Sequence, residues 1–153
     1  MEFIDKLKEE HSIVIKLLDK IGSAKPGSES YIRKMSQCEE VLIQHVIQED
    51  TKIHPVLEQA GEKNKKLGKL LKRTSDEMAE VTLCVVLFFQ KYSNNAMERE
   101  KIKNRFASDF KNLRKVLLER IKVEENYLFS EFEKISNSGL KSKKNKKSKK
   151  NKK

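Results

Sequence analysis

At 153 residues the chain has the length of one domain, and 5 Gly and 2 Pro are too few for a turn-rich all-β protein. The net charge is +11, but nine of the lysines sit in the last 13 residues, KSKKNKKSKKNKK. Residues 1–140 therefore carry only +2, which argues against the basic footprint of a nucleic-acid-binding domain.

The first predicted helix runs from Phe3 to Ile21. Ile4, Leu7, His11, Val14, Leu18 and Ile21 step by three and four, one face of a helix in a bundle, apolar except at His11. GSAKPGSES then predicts a loop. The second helix starts near Ser30. Its face holds Met35, Cys38, Leu42, His45, Glu49, Ile53 and Val56, and Pro55 should kink it or restart its last turn. Gly61 falls in or near the following turn. The third helix covers about Lys63 to Tyr92, with Leu67, Leu70, Thr74, Glu77, Val81, Cys84 and Phe88 on one face. A second apolar register runs through Leu71, Met78, Val85 and Phe89. After Ser93–Asn95 the fourth helix runs from Glu98 to Ile135, through Ile102, Phe106, Phe110, Leu113, Leu117, Arg120, Glu124 and Leu128. Short connections between long helices predict an all-α, antiparallel up-down-up-down four-helix bundle over residues 1–137. Residues 138–153 have no apolar run to pack and are expected to be a disordered basic tail, able to touch polyanions weakly.

The start, MEFIDKLKEEH, lacks the apolar core of a signal peptide, and no run is long enough to span a bilayer. Cys38 and Cys84 have no CxxC spacing and read as small core hydrophobes. Together these predict a cytoplasmic protein. No nucleophile–base pair or phosphate loop is apparent, so a binding role is expected and no catalytic residue is assigned.

Each apolar stripe is interrupted near its middle, by His11, by His45 with Glu49, by Glu77, and by Arg120 with Glu124. If the second helix ends near Gln59 and the third begins near Lys63, His45 and Glu77 stand at equal distance from the turn. They then share one height in an antiparallel pair. Leaving such groups buried and unpaired would cost roughly 1–3 kcal/mol each, so a layer fed by four helices is either a site or a satisfied network. His45 and Glu49, four apart, stack on one helical face and can hold one cation, with His11 reaching the same centre. Imidazole with carboxylate suits iron, zinc or manganese. With neutral histidines, Glu49, Glu77 and Glu124 against Arg120 leave a net −2, the complement of one divalent ion.

Three stretches, LKEEHSIVIKLLDKI around His11, HVIQEDTKIHPVLE from His45 and RIKVEENYLFSEFE from Arg120, resemble the hemerythrin-like (HHE cation-binding) domains. The resemblance implies a four-helix bundle of the kind that typically holds a non-haem di-iron centre and binds or senses oxygen, nitric oxide or iron. It implies metal ligands at His11, His45, Glu49, Glu77 and Glu124, with Glu125 behind them. Two positions depart from the pattern. The third-helix histidine is replaced by Glu77, or by Asp76 or Glu80, and the fourth-helix histidine is Arg120, which has no lone pair for a metal. Arg120 is therefore expected to stand in for a second metal, leaving iron or another divalent ion at one per chain or fewer. His54 is expected in a surface or capping role. KPGSESYIR, the pair His45 and His54, and RIKVEE are also similar to the regulator-of-sigma-D anti-sigma proteins. That alternative implies a metal-independent bundle whose partner is a sigma factor.

Overall fold

The computed structural model describes residues 2–93 and 100–138, and all of their regular structure is helical. The lysine tail and the third interhelical connection lie outside the described residues. Helix α1 spans Glu2–Ser23 and α2 spans Glu29–Gln48. A π-helical turn, π1, covers Glu49–Ile53 and leads directly into α3, His54–Lys63. Helix α4 spans Lys65–Tyr92 and α5 spans Glu100–Val123. A second π-helical turn, π2, covers Glu124–Leu128, and α-helix resumes over 129–138. α1 packs against α2 and α5, and α4 packs against α3 and α5. No described helix is long and apolar enough to cross a membrane.

The helix starts follow from local chemistry. Gly27 takes φ 82°, a left-handed conformation that glycine adopts without strain. Ser28 then caps α2 by accepting a hydrogen bond from the Tyr31 N–H at 3.2 Å. Asn64 alone separates α3 from α4, in extended conformation, and its side chain accepts from the Leu67 N–H at 3.2 Å. Pro55 marks the restart of α-helix after π1, the second of the two outcomes expected of it. It occupies the first turn of α3, where a missing N–H costs least. Just before it, the His54 N–H reaches back to the Glu49 carbonyl, the five-residue span of a π turn.

The apolar faces form two cores. One gathers Val14, Leu18, Met35, Phe88, Tyr92 and Leu113, and the other gathers Ile4, Leu7, Ile53, Leu57, Leu128 and Phe129. The buried polar residues His11, His45, Glu49, Thr74, Arg120 and Glu124 occupy the intervening turns of the helices. Every predicted position of the α1 face is buried. In the second helix the register slips after Ile53: Leu57 is buried, not the expected Val56 at the centre of the stripe, because π1 adds a residue to the turn. The α4 face combines both predicted registers, burying Leu67, Thr74, Phe88, Phe89 and Tyr92.

Candidate metal centre

His11 comes from the middle of α1 and His45 from the last turn of α2. Glu49 and Glu124 are the first residues of π1 and π2. All four are buried, at 1–5% exposure, and each offers one donor atom within 4.8 Å of the others. His11 Nε2 lies 3.0 Å from His45 Nε2, and Glu124 Oε1 lies 2.8 Å from the first and 3.0 Å from the second. Glu49 Oε1 contacts His45 Nε2 but finds no partner in hydrogen-bonding geometry. Donors about 2 Å from a common ion stand about 3 Å from one another, the spacing found here. Too few protons are available among these lone pairs to satisfy every pair. The orphaned Glu49 oxygen and the facing imidazole nitrogens therefore fit a cation.

The π turns explain how the carboxylates arrive. His45–Glu49–Ile53–Leu57 and Arg120–Glu124–Leu128–Phe132 are buried runs stepping by four. A regular α-helix would carry such runs progressively off one face, and a widened turn holds them on it. Each π turn starts at the carboxylate of an i, i+4 pair, His45–Glu49 or Arg120–Glu124.

Arg120 occupies the place that mirrors His45. It is 6% exposed; its Nε donates to Glu124 Oε2 at 2.9 Å and its Nη1 donates to the Thr74 carbonyl at 3.1 Å. Glu124 is thus shared between a guanidinium on one oxygen and two imidazoles on the other. Burial alone would raise its pKa, but hydrogen bonds with His11 and His45 and the Arg120 charge hold it well below the ordinary range. Burial would lower His45, yet its bond to Glu124 and the adjoining Glu49 carboxylate outweigh this and push its pKa up to about 10. Glu49 is raised to about 8, first by burial and then by the neighbouring Glu124 charge. The metal-free cluster therefore retains protons where a cation would sit.

Two carboxylates stand behind the imidazoles. Glu10 Oε1 lies 3.1 Å from His45 Nδ1, and Glu125 Oε1 lies 3.4 Å from His11 Nδ1. Expectation had placed Glu125 but not Glu10. The placement of Glu77 in the layer is corrected. Its side chain is 50% exposed and pairs with Arg73 at 3.4 Å, one residue off the buried face of α4. Asp76 and Glu80 are exposed as well. The buried polar residue of α4 is Thr74, whose carbonyl serves Arg120. His54 is 30% exposed and pairs with Asp50 at 2.8 Å, a surface role, with Nε2 4.0 Å from Glu49. Cys38 is fully buried in a core; Cys84 is partly buried at its edge.

The profile of the hemerythrin HHE cation-binding domain matches residues 2–132. The chain belongs to that family. No curated relative and no solved structure is matched significantly. The match spans every residue of the four-donor cluster, so in this HHE domain the buried histidines and glutamates lie within the cation-binding unit itself. Losing Glu77 from the charge count is offset by Glu10, which is 14% exposed. Glu10, Glu49 and Glu124 against Arg120 again leave −2 when all three are ionised.

Proposed function

We propose that this HHE domain holds one divalent cation, iron foremost, on His11, His45, Glu49 and Glu124 within an up-down-up-down four-helix bundle. Its role is cytoplasmic binding or sensing of oxygen, nitric oxide, iron or redox state, not turnover. The observation that carries the reading is the convergence of two imidazole nitrogens and two carboxylates on one buried point with Glu49 Oε1 left unpartnered. Mixed nitrogen and oxygen donors suit iron, manganese and zinc. Iron, when bound, supplies Lewis acidity and one-electron redox chemistry. Arg120 limits the number of ions. Its fixed charge sits on the second oxygen of Glu124 and repels a further cation, and it has no lone pair to offer one.

Metal analysis of protein purified without a chelating column, with iron in excess, tests both parts. Up to one iron per chain is expected, without the near-ultraviolet and visible bands of an oxo-bridged pair. His45→Ala and His11→Ala should each lose most of it. Unchanged content in both variants overturns the ligand set. Two irons per chain overturn the role of Arg120. No metal at all overturns the reading.

A further inference from the structure

We infer that Glu10 is a positioning residue for the metal site, making His45 the anchored imidazole and leaving His11 the exchangeable one. This rests on the cation-binding reading above. The two rings present the same atom, Nε2, to the cluster, but they are supported differently from behind. Glu10 Oε1 faces His45 Nδ1 at 3.1 Å, while Gln48 Nε2 donates to the other carboxylate oxygen at 2.9 Å and to the Gln44 carbonyl at 3.2 Å. Glu10 is on α1 and Gln48 on α2, so the brace ties together the two helices that supply the histidines. An ionised carboxylate only accepts, so the proton of His45 is fixed on Nδ1 and Nε2 is left to bind a metal. A carboxylate in this position orients the ring and makes it a stronger donor.

His11 has no such brace. Its Nδ1 is buried without a hydrogen-bond partner, and Glu125, at 3.4 Å, is 34% exposed. The ring is held by packing, stacked on Phe129 with centroids 5.6 Å apart and an interplanar angle of 11°. Stacking fixes the ring plane but leaves the proton free to occupy either nitrogen. The donor more easily withdrawn from a bound ion is therefore His11.

Cobalt(II) titration of the full chain against a competing chelator tests this, with Glu10→Ala, Glu10→Gln and Glu125→Ala beside the unsubstituted protein. Glu10→Ala should weaken binding by about 10–100-fold, Glu10→Gln by less, and Glu125→Ala by under about threefold. In the cobalt form, the paramagnetically shifted Nδ1–H resonance of His45 should exchange slowly with solvent and vanish by fast exchange in Glu10→Ala. A merely structural role for Glu10 would not move that signal. If Glu10→Ala fails to fold, Glu10→Gln carries the same comparison. Binding by Glu10→Ala within about twofold of the unsubstituted chain, or equal losses in Glu10→Ala and Glu125→Ala, overturns the inference and leaves the cation-binding reading standing. An unsubstituted chain that takes up no cobalt overturns both.

Discussion

In the metal-free protein His45 and Glu49 hold protons that their unfolded counterparts release. His45 is raised from 6.5 to about 10 and Glu49 from 4.5 to about 8. A base with a raised pKa contributes stability that is complete below its unfolded value and is lost as pH rises through its folded one. A raised carboxyl likewise makes the fold bind more protons than the open chain, so stability falls between its two values. Glu124 is depressed, and its contribution is lost instead as pH falls. Chelator-stripped protein should therefore be most stable near about pH 5 and lose Tm steadily toward about pH 10. Metal-loaded protein should show a flatter profile there, because binding has already expelled those protons. Thermal unfolding across the pH series in both forms checks it; a metal-free Tm that rises from pH 6 to 9 would contradict the assignment. Most of the cluster was legible at this scale, since a His or Glu breaking an apolar stripe stands out. Glu10 was not, because it lies off the α1 stripe beside His11 and finds His45 only through the packing of α1 on α2. Thr74 was masked by its own chemistry: a threonine passes as part of an apolar face, and its contribution here is a backbone carbonyl.

Among the elements, the contact of α3 with α4 turns on two glycines. A Cβ on Gly68 would meet the Gly61 carbonyl oxygen at 3.0 Å, and one on Gly61 would meet Gly68 Cα at 3.2 Å. Gly61 lies in the last turn of α3, just before the Asn64 connection that its sequence position suggested. In an exposed helix interior, Gly→Ala gains about 1 kcal/mol. At Gly68 the obstacle is backbone, which cannot swing aside, so Gly68→Ala should instead destabilise by about 1–3 kcal/mol as overpacking does. Urea unfolding measures it, and a stabilised variant would show that the two helices separate freely. Helix number and the α1 face were readable because a regular period of 3.6 writes itself into the sequence. The π turns were not read. Their trace is a run of buried residues four apart, His45 to Leu57 and Arg120 to Phe132, and single steps of four look ordinary in isolation. Glu77 was misplaced for a related reason. α4 carries two overlapping apolar registers, and neither alone is the buried face.

For the molecule as a whole, the positive charge is concentrated at one end of the sequence. The body to residue 140 carries +2, and Lys141–Lys153 contribute the rest without one apolar side chain. A chain ending at Leu140 should keep the helical signal, the Tm and the metal content of the full chain, since residues with no apolar side chain to bury add little to stability. A loss in circular dichroism or in Tm would show that the lysines dock on the body.

The polar layer between the two cores also sets how the protein opens. Ile4 and Leu7 of α1 belong to one core, and Val14, Leu18 and Ile21 to the other, with His11 between them. Without an ion, that junction rests on a few hydrogen bonds among buried polar groups, and the two ends of the molecule should open separately. An ion bound by residues from α1, π1, π2 and the end of α2 acts as a rivet through the waist. Amide hydrogen exchange should then show two classes of protection in stripped protein, one per core, merging into a single global opening once the ion is bound.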